Sequence, residues 1–340
     1  MKKVIISGAL LVLLLTNCNS IPKAQKTADL SEYMNTITSE ELSKHLYIVA
    51  ADEMEGRDTG TEGQKKAGKY LIEQYKKNGI SYPPQASDWY QKVPSEFMAK
   101  GFSPKLNDSE NIWAFIKGSE KPDEILVISA HYDHVGTKNG EVYNGADDDG
   151  SGTVALLEIA QAFAKAKKDG LGPKRSILFL HVTGEEHGLH GSRFYSENPL
   201  FPLKNTIADI NIDMIGRRDT LHPDTNNYIY VIGSDRLSSQ LHVINEEVNA
   251  KYTNLTLDYK YNDRNDPERI YYRSDHYNFA KKGVPAIFFF NGVHADYHMA
   301  SDTPDKIEYD ALAKRAQLAF TLAWELANRE ERIVVDKDGK

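Results

Sequence analysis

Two adjacent carboxylates, Glu185 and Glu186, follow the apolar run 176–182 after a Thr-Gly pair. The run has the length and the continuous apolar character of a buried β-strand. Side chains alternate along a strand, so neighbouring carboxylates near its end can face different partners. This arrangement allows one carboxylate to bind a metal ion while the other faces a substrate.

Acidic and histidine residues follow other strand candidates in a similar way. In an open α/β sheet, ligands bind at the carboxyl ends of the strands, so these residues are expected to meet at one edge. His131 and Asp133 follow the run 124–130. Asp213 follows the run 208–212, and His294 and His298 follow the run 286–290.

A triplet of aspartates, Asp147-Asp148-Asp149, lies in a glycine-rich loop just before the predicted helix 153–168. Histidines and carboxylates without cysteine form a ligand set that suits Zn²⁺. More than four candidate ligands, several of them carboxylates, indicate two metal ions about 3.5–4 Å apart that share one carboxylate. The pattern therefore predicts a binuclear zinc site.

The remaining histidines are interpreted as non-ligands. His187 and His190 are three residues apart beside Glu186, but the His-Glu-x-x-His order of a zincin helix is absent. His181 lies inside an apolar strand candidate and is expected to be a hydrogen-bonded core residue. Three further histidines have no motif context: His134, His222 and His242.

The apolar pattern alternates between strand and helix candidates from residue 111 onwards. Strands that are nearly continuous in apolar residues, separated by helices, predict an α/β fold with a mixed, mainly parallel sheet flanked by helices on both faces. We expect a single domain over residues 38–330 and a C-terminal tail at 331–340. Residues 82–100 contain two adjacent prolines and no clear period, and are predicted to be irregular.

Composition excludes some function classes. The 340 residues carry a formal net charge of −8, without basic clusters, which argues against nucleic acid as a partner. The chain has one cysteine, which rules out an internal disulfide and a zinc site built on several thiolates.

The N-terminus predicts export and lipid attachment. A basic start and an apolar stretch too short to span a bilayer comfortably form a signal peptide at residues 1–17. Cys18 stands where signal peptidase II would cleave and a lipid would be attached, although an ordinary secretory signal would also fit the pattern. Residues 18–37 then form a tether. We expect a protein anchored to the bacterial cell envelope, on the periplasmic or outer-surface side.

The sequence resembles the M28 family of zinc exopeptidases, specifically its bacterial leucyl-type aminopeptidase group. The glutaminyl cyclases form a one-zinc sister branch of that family. The resemblance spans about residues 40–325, and the matching motifs occur in family order. They are Ala130-His131-Tyr132-Asp133, Gly145-Ala146-Asp147-Asp148-Asp149-Gly150-Ser151-Gly152, Gly184-Glu185-Glu186, Asp213-Met214, Ser274-Asp275-His276 and Tyr297-His298-Met299-Ala300-Ser301-Asp302-Thr303.

The resemblance implies a role for each matching residue. Asp148 would bridge two zinc ions, with Glu186 and His298 on one and His131 and Asp213 on the other. Glu185 would be the general base and acid. Supporting roles fall to Asp133, which would orient His131, and to Asp149 and Asp275. The peptide bond between Asp148 and Asp149 is expected to be cis. Tyr271 would stabilise the oxyanion, with Tyr272 as a competitor for that role.

The resemblance implies a di-zinc aminopeptidase that acts on peptides with a free N-terminus. The protease-associated domain that the family often inserts is not expected, because residues 82–110 are too few to form it. Carboxypeptidase action remains possible on this fold. A single-zinc glutaminyl cyclase and a non-catalytic binding module of the same fold are the competing hypotheses. The complete set of five ligands favours hydrolysis.

Overall fold

The computed structural model describes Met1, residues 29–99 and residues 106–338. The predicted signal peptide after Met1, the lipid-attachment residue Cys18 and residues 19–28 of the predicted tether lie outside the described residues. Within the described ranges, no helix is long and apolar enough to cross a membrane.

The described residues form helices and strands that alternate along most of the chain. The helices are α1 (Leu30–Met34), α2 (Ser39–Val49), α3 (Glu62–Lys77), α4 (Ser95–Met98), α5 (Gly152–Lys168), α6 (His190–Glu197), α7 (Ser239–Val248), α8 (His276–Ala280) and α9 (Tyr309–Asn328). The strands are β1 (Tyr90–Val93), β2 (Ser109–Ile116), β3 (Lys121–His131), β4 (Thr137–Lys138), β5 (Glu141–Val142), β6 (Arg175–Val182), β7 (Thr206–Ile212), β8 (Tyr228–Ile232), β9 (Thr256–Asp258) and β10 (Ala286–Phe290).

Eight strands form one mixed sheet in the order β1-β2-β6-β3-β7-β10-β8-β9. The four central strands β6, β3, β7 and β10 run parallel, and β2 and β8 are antiparallel to their inner neighbours. Parallel strands need cover on both faces, and every residue of β6 and β7 is buried. The predicted mixed, mainly parallel sheet is confirmed.

Alternate residues of β3 show how both faces of the sheet are covered. Leu126 and Ile128 belong to the large apolar cluster that includes helices α5 and α9. Ile125 and Val127 face the opposite way, into a cluster with Phe279 of α8. Because the helices cover both faces, the carboxyl edge of the parallel strands is the part of the sheet left open to a ligand.

The prediction that residues 82–100 are irregular was wrong for part of this segment. Tyr90–Val93 forms β1, which pairs antiparallel with β2, and Ser95–Met98 forms the short helix α4 after Pro94. The strand has only four residues and lies at the sheet edge, where the buried residues Gln91 and Val93 alternate with the half-buried Tyr90 and the exposed Lys92. Its formation depends on pairing with β2 rather than on a strong local pattern.

The predicted domain boundaries also need correction. Leu30–Met34 is a helix rather than a tether, and Leu30, Tyr33 and Met34 are buried in the main core. At the other end, Ile333 is buried, and the backbone N–H of Ser239 donates to the carboxylate of Asp336 over 2.8 Å. The folded domain therefore begins before residue 38 and continues past residue 330.

Candidate metal centre

The carboxyl ends of the parallel strands gather the predicted ligands. His131 is the last residue of β3, and Asp213 directly follows β7. Glu186 comes shortly after β6, and His298 lies in the loop after β10. Because β6, β3, β7 and β10 are parallel neighbours, their ends share one edge of the sheet. Residues far apart in sequence are thereby brought together, as the sequence predicts.

Asp148 joins two groups of side chains. Its Oδ1 lies 3.3 Å from Nε2 of His131, and its Oδ2 lies 3.0 Å from Nε2 of His298. Nε2 of His131 is also 3.6 Å from Oδ1 of Asp213. Burial alone would raise the pKa of the Asp148 carboxyl, but His131 and His298 hold it well below its usual range. A carboxylate that turns one oxygen towards each group is arranged as a bridging ligand.

Glu186 completes the group around His298. Its Oε2 lies 3.0 Å from Nε2 of His298, and its Oε1 lies 2.7 Å from Nδ1 of His134. The His134 nitrogen is also 3.8 Å from Oδ2 of Asp148. Sequence reasoning assigned no role to His134. The available signal was its place three residues after His131, at the end of the same strand.

The aspartate loop has the backbone geometry that the resemblance implies. The peptide bond between Asp148 and Asp149 is cis. Backbone N–H groups of Asp147 and Asp148 donate to the buried Asp302 carboxylate over 3.0 and 3.1 Å. Gly145 has φ +55°, and a Cβ there would lie 2.3 Å from the Asp148 carbonyl oxygen. Any side chain at this position would therefore disturb the loop.

Arg57 supports the aspartate loop through hydrogen bonds to its backbone. The sequence analysis did not identify this residue. Its fully buried guanidinium donates to the carbonyls of Asn144 and Gly145 over 2.7 and 2.9 Å. It also donates to the carbonyl of Tyr132, directly after the predicted ligand His131, over 3.0 Å. Because one buried, planar guanidinium donates to both segments, it fixes the loop relative to the end of β3.

Asp133 contacts His131 as predicted, but mainly through its backbone oxygen and not through its carboxylate. Nδ1 of His131 lies 3.1 Å from the backbone oxygen of Asp133 but 3.7 Å from its carboxylate. The carbonyl is therefore the closer acceptor for the ring N–H. The Asp133 carboxylate instead accepts from the Thr59 hydroxyl (2.8 Å) and from the backbone N–H of Glu185 (3.3 Å). Asp133 thus positions both His131 and Glu185.

Asp213 is held by a chain of buried polar side chains. The Ser274 hydroxyl donates to Oδ2 of Asp213 over 2.6 Å, and Nδ2 of Asn211 donates to Ser274 over 2.8 Å. The Ser129 hydroxyl lies 3.0 Å from Oδ1 of Asn211. Outer partners of this kind fix the orientation of a metal-ligating carboxylate.

Glu185 lines the cavity beside the ligand cluster, together with Asp148 and Asp213. Burial raises the pKa of its carboxyl well above the usual range, although nearby His131 opposes the shift. A carboxylate with a raised pKa is a stronger proton acceptor than an ordinary one. The position of Glu185 therefore suits proton transfer at the cavity.

Asp149 and Asp275, both predicted to support the ligands, are buried beside them. Oδ1 of Asp149 accepts from the backbone N–H groups of Gly152 (2.8 Å) and Met214 (3.1 Å). Burial raises the pKa of Asp149 well above its usual range. Burial also raises the pKa of Asp275 to about 7, although nearby His131 opposes the shift.

The structure does not place the predicted oxyanion tyrosine, Tyr271, among the residues that line the cavity. Its buried ring lies under the Arg236 guanidinium, 4.4 Å from the ring centroid. Its competitor Tyr272 is partly exposed under Arg269, at 4.7 Å. Tyr297 does line the cavity and stacks on His298 with ring centroids 3.9 Å apart. Its place directly before a predicted ligand was the available sequence signal.

Other histidines have partners away from the predicted ligands. His181 is fully buried, and its Nε2 lies 2.7 Å from the Tyr75 hydroxyl, which confirms a hydrogen-bonded core residue. His187 pairs with Asp58 over 2.8 Å. His294, a strand-end candidate, pairs with Asp147 over 3.1 Å and supports the aspartate loop.

The ligand cluster has the unsatisfied atoms that a bound cation would satisfy. In the described residues, four buried atoms of the cluster lie close to one another but form no hydrogen bond of good geometry, namely Nε2 of His131, Oδ2 of Asp148, Oε1 of Glu186 and Nε2 of His298. A buried polar atom left without a partner costs about 1–3 kcal/mol. Nitrogen and oxygen lone pairs that converge in this way match zinc ligands. Two groups of ligand atoms lie close enough to hold an ion, namely His131 with Asp149 and Asp213, and His134 with Asp148 and Glu186.

Comparison with protein families identifies the class to which this α/β fold and its histidine–carboxylate cluster belong. Residues 111–323 match the model of peptidase family M28. The match covers more than half of the 340 residues and includes all five predicted ligands. The chain belongs to peptidase family M28.

A curated relative and two solved structures show how far the similarity extends. A probable leucine aminopeptidase of Trichophyton verrucosum (strain HKI 0517) is 31% identical over 225 residues, 64% of this chain and 57% of the relative. The chain thus spans little more than half the length of that relative. An aminopeptidase from Aneurinibacillus sp. strain AM-1 superposes with a TM-score of 0.66 at 16% identity, covering 91% of this chain and 98% of the other. A glutaminyl cyclase from Porphyromonas gingivalis gives 0.64 at 18% identity, covering 84% and 97%.

The structural similarity supports the fold but does not distinguish between the two reactions. An aminopeptidase and a cyclase superpose almost equally well on this chain. The reaction therefore has to be inferred from the residues at the carboxyl edge of the sheet rather than from the fold.

Proposed function

We propose that this chain is a di-zinc aminopeptidase that removes N-terminal residues from peptides. The observation that carries the proposal is the position of Asp148, with one oxygen 3.3 Å from His131 and the other 3.0 Å from His298. Membership of family M28 and similarity to a probable leucine aminopeptidase support it.

The ligands divide into two sets that share Asp148. Glu186 and His298 would hold one zinc ion, and His131 and Asp213 the other. When bound, zinc lowers the pKa of a water molecule towards ~7 and polarises the carbonyl of the scissile bond. The buried partners described above, Ser274 on Asp213 and the Asp133 carbonyl on His131, keep the ligand atoms oriented.

Glu185 performs the proton transfer. Its carboxylate faces the cavity, so it can take a proton from the attacking water and pass it to the leaving amine. Its backbone is held by the carboxylate of Asp133, so the base and the His131 ligand share one support. Tyr297 is the cavity-lining phenol, and we assign to it the hydrogen bond that stabilises the developing oxyanion.

A substrate panel with metal analysis tests the proposal. The purified protein is assayed on aminoacyl p-nitroanilides, on peptides with free or acetylated N-termini, and with or without a chelator. We expect about two zinc ions per chain, hydrolysis of substrates with a free N-terminus only, loss of activity with chelator and recovery with zinc.

The same panel separates the competing functions. Cyclisation of N-terminal glutamine by a protein with one zinc would identify a cyclase. Release of C-terminal residues from N-acetylated peptides would identify a carboxypeptidase. A protein that binds peptides but neither binds zinc nor turns them over would be a binding module.

We also propose that the chain is exported and anchored by a lipid on Cys18. The support is the basic start, the apolar stretch and the position of the cysteine at its end. Expression in a bacterium with labelled palmitate should label the wild-type protein but not Cys18→Ser. Equal labelling of the two proteins, or none of the wild type, would contradict lipid attachment.

A further inference from the structure

One cation, Arg273, lines the cavity beside the predicted ligands. The wall next to it is apolar and includes Met214, Ile270, Phe288 and Phe290. The other charged residues of this cavity are acidic and belong to the proposed catalytic centre. Arg273 is therefore the positive group that a substrate would meet here.

Local structure fixes the position of Arg273 relative to the centre. It follows the short 3-10 turn Ile270–Tyr272, and its backbone N–H donates to the Ile270 carbonyl over 2.9 Å. The next residue, Ser274, donates its hydroxyl to Asp213 over 2.6 Å. The Arg273 backbone is thus one residue from a contact that holds a predicted ligand.

Nearby arginines of the same region already have partners. The Arg236 guanidinium covers the Tyr271 ring and donates to the Asn262 carbonyl over 2.8 Å. Arg269 lies over the ring of Tyr272. In residues 29–99 and 106–338, no carboxylate lies within 4.0 Å of the exposed Arg273 guanidinium, and no side-chain hydrogen bond is formed by it. Its donors are available to a ligand.

The charge of the cavity favours an anionic group at Arg273. Two divalent ions, as in the proposed function, would offset the negative charge of the three carboxylates that line this cavity, Asp148, Glu185 and Asp213. The guanidinium would then be left as an uncompensated positive charge beside an apolar wall. Arginine binds carboxylates through two parallel hydrogen bonds, and such charge-assisted bonds are stronger than neutral ones.

We infer that Arg273 binds a carboxylate of the substrate and makes the enzyme selective for acidic peptides. The apolar wall suits methylene groups and the guanidinium suits a terminal carboxylate, which together fit an N-terminal glutamate. The C-terminal carboxylate of a dipeptide offers the same chemistry from a second source. This inference rests on the proposed aminopeptidase function.

The test compares isosteric substrates that differ only in charge. kcat/KM is measured for glutamyl and glutaminyl p-nitroanilides, and for leucyl-glycine and its C-terminal amide. The proteins are the wild type, Arg273→Gln, Arg273→Lys and the control Arg269→Gln, with zinc content and circular dichroism confirming that each is folded. Hydrolysis of leucyl p-nitroanilide, which has no carboxylate, measures the proposed aminopeptidase activity independently of Arg273.

For a side-chain carboxylate, we expect the wild type to prefer the glutamyl substrate, and Arg273→Gln to reduce the glutamyl-to-glutaminyl ratio at least about tenfold. Arg273→Lys should retain part of the preference, and Arg269→Gln all of it.

A change confined to the dipeptide-to-amide ratio would assign Arg273 to the terminal carboxylate. If both ratios are unchanged while leucyl p-nitroanilide is hydrolysed, the inference is wrong. If the wild type hydrolyses none of these substrates, the proposed aminopeptidase function is wrong, and the inference about Arg273 that rests on it is wrong as well.

Discussion

Glu185 and Glu186 are consecutive residues whose carboxylates face different surroundings. Glu186 lies 2.7 Å from His134 and 3.0 Å from His298, inside the ligand cluster. Glu185 instead lines the cavity where a substrate would lie. The preceding Gly184 has φ +67°, a conformation that favours glycine and turns the chain away from the β6 direction. One turn after one strand therefore places both the proposed metal ligand and the proposed base.

His134 should strengthen metal binding through its contact with Glu186. His134→Gln removes a ring whose Nδ1 lies 2.7 Å from the Glu186 carboxylate. Loss of a partner that orients a ligand typically lowers metal affinity by about 10–100-fold. Competition with a chromophoric chelator measures the affinity. The control is His242→Gln, since the His242 ring contacts the Ser234 hydroxyl instead of a ligand. Equal zinc affinity of both variants and the wild type would refute this role.

Tyr297, rather than Tyr271, should affect the chemical step. Tyr297→Phe removes the cavity-lining hydroxyl and is expected to lower kcat by about 100-fold, with a smaller effect on KM. Tyr271→Phe should leave kcat close to that of the wild type, because its ring packs under Arg236 outside the cavity lining. Steady-state kinetics on one anilide substrate compares the two. The reverse order of effects would restore the role that the family resemblance gives to Tyr271.

His181 should make the fold sensitive to acid. Burial lowers the pKa of its imidazole to about 3, so the folded state keeps it neutral while the unfolded chain binds a proton below about pH 6.5. Between these pKa values the unfolded state holds more protons, so stability falls as pH falls, by at most about 1.4 kcal/mol per pH unit. The effect is absent above the unfolded pKa.

His181→Gln removes this titration and identifies its contribution. Urea unfolding of metal-free wild type and variant is measured at about pH 7.5 and about pH 5. The stability advantage of the wild type should shrink by about 2 kcal/mol at the lower pH. Titrations elsewhere cancel in this comparison because both proteins share them. An advantage that is the same at both pH values would show that His181 does not titrate as described.

The central fold was predictable because its strands carry a strong local signal. β3, β6 and β10 contain nearly continuous apolar runs, which are typical of parallel strands buried on both faces, whereas β7 also carries the polar residues Asp209 and Asn211. β1 lacked such a signal because four residues at an edge depend on their partner strand. Likewise, the buried helix Leu30–Met34 follows a polar stretch and is stabilised by contacts with distant residues of the core.

The candidate ligands that follow or end strands could be located from the sequence, but the residues that act through tertiary contacts could not. His131 and Glu186 stand in recognisable motifs after apolar runs, and the structure brings them to one cluster. Arg57 reaches the carbonyls of Asn144 and Gly145, almost ninety residues along the chain, which no local pattern encodes. The positions of Tyr271 and Tyr297 relative to the cavity depend on how two loops pack.

The most direct test of the account compares Glu185→Gln with Glu186→Gln in zinc content and turnover. We expect Glu185→Gln to keep the zinc of the wild type and to lose at least about 100-fold in kcat, because only the proton carrier is removed. Glu186→Gln should lose zinc, because a ligand is removed. Turnover by Glu185→Gln at the rate of the wild type would contradict the role of Glu185 as the base. If Glu185→Gln loses zinc while Glu186→Gln retains it, the assignment of base and ligand is wrong.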